Sequence, residues 1–218
     1  MKSDSQIQAD VMQELIWDPR VSHEHIGVAV TDGIVALSGA VPSYIEKSAA
    51  ERAAQRVAGV KAVVEKIEVK LPSLHEKDDQ DIAEAVLNSF LWNVEIPDKL
   101  IKVSVEKGWV KLTGEVEWNY QRNAAEKIVR GLTGVKGVSN NISLKTREVK
   151  ADVVRQKIED ALKREAIQEA KKINVMIDGG TVTLSGKVHS FSEMNDAKLA
   201  VWSAPGVTKI DNRLHVAL

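Results

Sequence analysis

Apolar and polar residues along this chain form a pattern that repeats three times. Each copy begins with apolar residues spaced four apart, which is the spacing of one face of a helix. A segment in which apolar and polar residues alternate follows, as in a strand with one buried face. The next segment is a strand framed by glycines, and it occupies residues 33–41, 108–116 and 180–188. The pattern therefore predicts one structural unit used three times.

The helical and strand segments occupy matching places in the three copies. The helical spacings are Ile7-Val11-Leu15, Ile82-Val86-Phe90 and Val154-Ile158-Leu162. The alternating segments are Ile26-Val28-Val30, Ile101-Val103-Val105 and Ile173-Val175-Ile177. In the second strand we expect the Val and Leu side chains to be buried, and these are Val35, Leu37, Val110, Leu112, Val182 and Leu184.

Glycines keep the copies in register. The glycine at position 39 recurs at 114 and 186, so the copies are offset by 75 and 72 residues. We expect one set of glycines to supply positive φ in tight hairpins and another to end the second helices. The predicted structural glycines are Gly33, Gly39, Gly59, Gly108, Gly114, Gly134, Gly180, Gly186 and Gly206.

The order of elements within each copy is predicted to be α-β-β-α-β. Ser-x-x-Glu capping signatures at Ser43 and Ser190 mark the start of the second helix. A β-α-β crossover is nearly always right-handed, so the third strand should run parallel to the second. We therefore predict an α+β fold of three tandem units, 1–71, 72–147 and 148–218. Each unit is a three-stranded mixed sheet with two helices on one face.

Composition narrows the range of functions. The 218 residues carry a formal net charge of −1. A nucleic-acid-binding protein is expected to have an excess of positive charge, so this composition argues against nucleic-acid binding. The chain has no cysteine, which excludes disulfides and thiolate chemistry. It has neither an apolar signal region at its start nor an apolar run long enough to span a bilayer. These features predict a cytoplasmic protein, or a periplasmic one from which a signal peptide has been removed.

Few residues are candidates for catalysis or metal binding. His23-Glu24-His25 contains a pair of potential metal ligands, but no such pair recurs in the other copies, and a solvated loop is the alternative. The acidic run 78–81 is interpreted as negative charge at a helix N-terminus. Asp178-Gly179-Gly180 lies in a hairpin and opens no helix, so it is not a phosphate-binding loop. We expect no catalytic activity, no metal and no cofactor.

Two tryptophans are candidates for contact with a partner. Trp17 and Trp92 occupy equivalent positions at the ends of the first helices, about 120° from the centre of each apolar stripe. One interpretation is that they anchor the protein at a membrane interface, assisted by Arg20, Lys99 and Lys102. The other is that they cover a core edge or a junction between units.

The second copy carries two further aromatic residues. Trp109 stands where the other copies have Ile34 and Thr181, and it is predicted to lie on the sheet face away from the helices. Trp118 replaces the capping serines. Exposed apolar area usually marks a contact, either with a partner or with a neighbouring unit.

The repeated motif resembles a known family. The strand Gly33-x-Val35-x-Leu37-x-Gly39-x-Val41, an Ala-rich helix and a later Gly-Val resemble the BON domain, over essentially the whole chain as three tandem copies. This bacterial family is named after an osmotically inducible periplasmic protein and nodulation proteins. The resemblance implies a non-enzymatic protein of the osmotic and envelope stress response.

The resemblance also implies the class of partner. Members of the family associate with membrane phospholipid or with another protein, and one contacts anionic lipid through a first-helix face. Because a BON unit also occurs in a potassium-binding protein, small-ion sensing is the alternative. Matching melting curves in potassium and sodium would remove it. The sequence does not indicate an oligomeric state.

Overall fold

The chain folds as three units with the same order of elements. The computed structural model describes residues 2–145, 151–164 and 173–216. Unit 1 contains α1 (Asp4–Trp17), β1 (Ile26–Thr31), β2 (Ile34–Val41), α2 (Tyr44–Arg56) and β3 (Ala62–Val69). Unit 2 contains α3 (Asp79–Leu91), β4 (Ile101–Glu106), β5 (Trp109–Val116), α4 (Asn119–Arg130) and β6 (Gly137–Leu144). Unit 3 contains α5 (Ala151–Arg164), β7 (Asn174–Asp178), β8 (Thr181–Val188), α6 (Phe191–Trp202) and β9 (Lys209–Val216).

Each unit has a mixed sheet of three strands, as predicted. The strand orders are β1-β2-β3, β4-β5-β6 and β7-β8-β9. The first two strands of each sheet are antiparallel, and the third is parallel to the second. The glycine-framed strand is therefore the central strand of every sheet.

Each unit has its own core beneath this central strand. The Val and Leu pair of β2, β5 and β8 is fully buried in all three units. In units 1 and 2 the three apolar residues spaced four apart on the first helix pack into the same core. In unit 3 Val154 and Ile158 do so. The side chain of Leu162 lies outside the described residues. Pro19 follows directly after the C-cap of α1, at Asp18, as expected of a residue that cannot continue a helix.

The central strands require glycine at one position. Gly39 and Gly114 have φ of 125° and 138°, and a Cβ there would overlap the carbonyl oxygens of His25 and Leu100. These are the residues directly before β1 and β4. The close approach explains why this position is glycine in units 1 and 2, and Gly186 has a similar φ of 132°.

Two predictions about glycine were wrong in detail. The second helices end at Arg56, Arg130 and Trp202, three or four residues before the glycines predicted to end them. Gly59 and Gly134 instead leave room for the first-helix side chains Ile7 and Ile82, which a Cβ would crowd. In the unit 3 hairpin, the residue with positive φ is Gly179 (53°), whereas Gly180 lies outside the left-handed region.

Aromatic side chains join the three units. Tyr44, at the start of α2, packs against the core of unit 2, and Phe191, at the start of α6, packs against the core of unit 1. Trp202, at the end of α6, packs against the core of unit 2, where its ring lies 4.8 Å from the guanidinium of Arg122. Every pair of units is therefore in contact.

Candidate functional site

The first helices of units 1 and 2 carry exposed apolar residues. Trp17 is 77% exposed and Trp92 is 87% exposed, so neither covers a core edge or a junction between units. Other large apolar side chains on the same two helices are also exposed. We call these surfaces the α1 face (Met12, Ile16 and Trp17) and the α3 face (Leu87, Leu91, Trp92 and the following Val94).

Both faces arise because the apolar stripe is one residue wider than the core can cover. Met12 follows the buried Val11 directly, and Leu87 follows the buried Val86. A neighbouring helix position is rotated by about 100°, which turns its side chain from the core towards solvent. In unit 3 the equivalent position holds Glu159. The exposed apolar residues beside the two tryptophans were not identified from the sequence, although this comparison of the copies was the signal that could have found them.

The cations proposed to assist the tryptophans do not form one cluster. Arg20 is already engaged, since its Nε and Nη2 atoms donate to Asp18 Oδ1 and Oδ2 at 2.8 and 2.6 Å. The hydrogen bond from Arg20 lowers the pKa of Asp18 to about 2, although burial of the carboxylate by itself raises that pKa. The same contact raises the pKa of Arg20.

Lys99 and Lys102 lie on different surfaces. Lys99 is exposed in a single 3₁₀ turn between α3 and β4, beside the exposed Leu100. Lys102 is exposed on β4 between the core-facing residues Ile101 and Val103. Because side chains alternate along a strand, Lys102 points to the sheet face without helices. Of the three proposed cations, Lys99 is therefore the one that follows the α3 face in an exposed turn, five residues after Val94.

Trp109 and Trp118 have local structural contacts. Trp109 lies on the helix-free sheet face, as predicted, and its ring covers the backbone of its cross-strand neighbour Gly137. Trp118 is partly buried at the start of α4, where its backbone N–H donates to Gln121 Oε1 at 3.0 Å. Trp109 remains about half exposed, at 53%.

The capping signatures of α2 and α6 are confirmed in part. The hydroxyls of Ser43 and Ser190 accept the N–H groups of Glu46 and Glu193, as predicted. The glutamate side chains reach further than the capping box requires. Glu46 accepts the N–H of Ser22, and Glu193 accepts that of His189.

The acidic residues that open α3 have specific backbone partners. Asp78 caps the helix by accepting the N–H of Asp81 at 2.7 Å. Asp79 accepts the N–H groups of Lys107 and Gly108, in the β4–β5 turn, at 2.7 and 2.8 Å. The predicted position of this run at a helix N-terminus is confirmed, and Asp79 in addition fixes a hairpin.

The remaining candidates lie on exposed surface. His23 and His25 occupy a single exposed 3₁₀ turn before β1. Across residues 2–145, 151–164 and 173–216, no three His, Cys, Asp or Glu side chains are grouped as metal ligands. None of the helices in these ranges is both long enough and apolar enough to cross a membrane.

A cleft absent from the sequence-based predictions lies between units 1 and 2. It has a volume of about 440 Å³ and is lined by residues of α2 and α4, together with Arg20 from the loop after α1. Its other cationic lining residues are Arg52, Lys127 and Arg130. The cleft combines side chains from two units, so no single repeat reveals it.

Comparison with known proteins agrees with the repeated fold. The family profile of the BON domain matches residues 3–70, 78–146 and 150–217. The chain belongs to the BON domain family. A related BON protein is osmotically-inducible protein Y of Escherichia coli (strain K12), which is 29% identical over 146 residues, 65% of this chain and 73% of that protein.

Solved structures give weaker matches to this BON protein. Two are of CdsD, a structural protein of the type III secretion system of Chlamydia trachomatis. The first has 14% identity and a TM-score of 0.27, covering 96% of this chain and 91% of that one. The second, its C-terminal domain, has 15% identity and a TM-score of 0.25, covering all of both chains. The PrgH periplasmic domain has 11% identity and a TM-score of 0.22, covering 89% of this chain and 96% of that one. Scores this low carry no argument about function.

Proposed function

We propose that this protein is a non-catalytic module that binds the surface of a phospholipid membrane through its α1 and α3 faces. The observation that supports this proposal is the pair of almost fully exposed tryptophans at equivalent positions, each beside exposed aliphatic side chains. An indole ring is suited to the boundary between lipid headgroups and acyl chains, because it has a large apolar body and one polar N–H.

Contrast with unit 3 supports a function beyond folding. Unit 3 has the same core as the other units, yet it carries Glu159, Lys163 and Arg164 where unit 2 carries Leu87, Leu91 and Trp92. The fold therefore does not need apolar residues at these positions. Exposed apolar patches that folding does not require usually mark a contact surface.

Local charge predicts that binding depends on apolar insertion more than on electrostatic attraction. The α1 face shares its helix with Asp4, Asp10 and Glu14, and Arg20 is neutralised by Asp18. Lysine beside an anionic bilayer contributes roughly 1 kcal/mol, which salt screens. Because Lys99 is the one proposed cation left in an exposed turn after the α3 face, we expect a small preference for anionic lipid and a weak dependence on salt.

The name of the related Escherichia coli protein suggests when such binding is needed. That protein is osmotically inducible. We extend this context to the present chain and propose that it acts during osmotic stress, when a change in cell volume alters the packing of lipid headgroups.

Vesicle binding by a variant that carries unit 3 residues tests the proposal. The triple variant Leu87→Glu, Leu91→Lys and Trp92→Arg converts the α3 face to the residues of unit 3. We expect the original protein to co-sediment with phosphatidylcholine vesicles containing phosphatidylglycerol and its tryptophan fluorescence to shift to the blue. The triple variant should lose most of both signals.

A matched control separates this surface from tryptophan content in general. Trp109→Thr gives the helix-free sheet face of unit 2 the residue found in unit 3, and vesicle binding should persist.

Trp92→Ala should change the free energy of unfolding by no more than about 0.5 kcal/mol, because the side chain has few contacts to lose. If the original protein fails to bind both neutral and anionic vesicles, the membrane proposal is wrong, and the same faces become candidates for a protein partner.

A further inference from the structure

The cleft between units 1 and 2 brings four cationic side chains together. Arg20 and Arg52 come from unit 1, and Lys127 and Arg130 come from unit 2. The single acidic residue in the lining is Glu126. Arg52 and Lys127 occupy the same position of the repeat, at which unit 3 has Leu199. The positive charge is therefore a property of this junction.

Two of the four cations are neutralised within the protein. Asp18 binds Arg20 through two hydrogen bonds. Glu126 Oε1 forms an ion pair with Arg130 Nη2, and Glu126 Oε2 accepts a hydrogen bond from Asn140 Nδ2 at 3.0 Å. Arg52 and Lys127 form no salt bridge within the described parts of the chain. The cleft thus has an excess of about two positive charges.

One hydroxyl holds two arginines together across the junction. Ser48 Oγ accepts from Arg130 Nη1 at 3.0 Å and lies 3.4 Å from Arg52 Nη1. Burial, followed by the charges of Arg130 and Arg20, lowers the pKa of Arg52. The Nε–H of Arg130 is buried, and the described residues offer it no acceptor. The junction therefore holds crowded cations, and one guanidinium N–H has no acceptor among the described residues.

We propose that this cleft binds a phosphate group, held by Arg52 and Lys127 with Arg130 as a third donor. A guanidinium presents paired N–H groups that match phosphate oxygens, and a lysine ammonium adds a charge that adapts to their position. The cleft volume is within the range of small-molecule sites and exceeds what a bare phosphate occupies. Ile45 provides an apolar wall and Asn123 a polar one, so the ligand class is a small organic phosphate or a lipid headgroup.

This site is separate from the two apolar faces, so the proposal does not depend on membrane binding. None of the α1 and α3 face residues lines the cleft. The phosphate site could therefore exist in a protein that binds no vesicles, and vesicle binding could persist in a protein whose cleft is empty.

Thermal melting with soluble phosphates tests the site in the full chain. The probes are inorganic phosphate and glycerol 3-phosphate, each compared with sodium chloride at equal ionic strength. A ligand that binds only the folded state raises the melting temperature, by about 2–4 °C at concentrations several-fold above its Kd. Phosphate also stabilises proteins non-specifically, so the informative quantity is the difference between variants.

Two charge variants in the cleft and one outside it provide that difference. Arg52→Gln and Lys127→Gln should each lose at least half of the phosphate-induced shift. Lys111→Gln removes an equal charge from the helix-free sheet face and should keep the full shift. In chloride, Arg52→Gln should melt no earlier than the original protein, because it removes a crowded charge. Equal phosphate-induced shifts in the original protein, Arg52→Gln and Lys127→Gln would overturn the proposal.

Vesicles then identify the source of the phosphate. If inorganic phosphate competes with binding to phosphatidylglycerol vesicles, and Arg52→Gln weakens that binding, the natural ligand is a headgroup. The other outcome is that vesicle binding is absent, or that it is unchanged by inorganic phosphate and by Arg52→Gln. If soluble phosphate still raises the melting temperature in that case, the ligand is a free organic phosphate. Both results retain the site.

Discussion

The hairpin turns of units 2 and 3 connect equivalent strands by different means. In unit 2, Lys107 and Gly108 both have positive φ, at 51° and 80°, and both N–H groups donate to Asp79. In unit 3 the first turn residue is Gly179, and Ala151 occupies the position of Asp79. A residue other than glycine in the left-handed region costs roughly 1–2 kcal/mol. The aspartate offsets that cost in unit 2, and glycine avoids it in unit 3.

Unit 1 agrees with unit 2 in this respect. Asp32 has φ of 53°, and Asp4 accepts the N–H groups of Asp32 and Gly33 at 2.8 and 2.9 Å. Units 1 and 2 also share the exposed apolar first-helix faces, whereas unit 3 has Glu159, Lys163 and Arg164 at the equivalent positions. The comparison teaches that the core is common to all three units, whereas the turns and outer surfaces have diverged in unit 3.

The largest effect should come from the common core. Leu112→Ala and Leu184→Ala remove fully buried side chains from the central strands of units 2 and 3. We expect each to lower the free energy of unfolding by about 2–5 kcal/mol, the usual range for a buried leucine. Urea unfolding measures both losses. If one loss fell well below this range, the core of that unit would be packed more loosely, and the equivalence of the cores would fail.

A smaller effect should come from the turn of unit 2. Asp79→Ala leaves two N–H groups without their carboxylate and should cost about 1–3 kcal/mol. Adding Lys107→Gly makes the turn resemble that of unit 3 and should restore about 1 kcal/mol, because glycine adopts positive φ freely. Unfolding of the single and double variants measures the recovery. If Lys107→Gly stabilises neither the original protein nor the Asp79→Ala variant, the turn is not strained.

The smallest effect concerns the loop after the first helix and depends on pH. Asp18 in unit 1 and Asn93 in unit 2 are equivalent, and their Oδ1 atoms accept the N–H groups of Arg20 and Glu95. The Asp18 pKa is lowered from 3.8 to about 2 in the folded protein. Its ion pair with Arg20 therefore contributes its full stabilisation at pH values above 3.8. That stabilisation is lost as the pH falls through the folded-state pKa of about 2.

Asp18→Asn gives unit 1 the residue of unit 2 and tests this difference. We expect a loss of about 1–2 kcal/mol at neutral pH, reduced from the full linkage value because the Arg20 side chain is solvated. The difference in melting temperature between the original protein and the variant should shrink as the pH falls from about 4 to about 2. A difference that is constant with pH would show that Asp18 acts through hydrogen bonding alone.

Local patterns explain which features the sequence could predict. The strands and cores were predictable because Val35 and Leu37 belong to a period-2 pattern that needs no distant information. The role of Asp79 was not, because its partner Lys107 is 28 residues away and contributes only a backbone N–H. The cleft was harder still to predict, because Arg130 of unit 2 donates to Ser48 of unit 1, which is 82 residues away in the sequence.

Phe191 packs against the core of unit 1, although it belongs to unit 3. A ribosome completes unit 1 long before it adds this side chain. Until then the nascent first unit exposes the apolar surface that Phe191 will cover, and it must stay soluble without that contact. Synthesis of unit 3, rather than completion of the first repeat, therefore sets when unit 1 reaches its final packing.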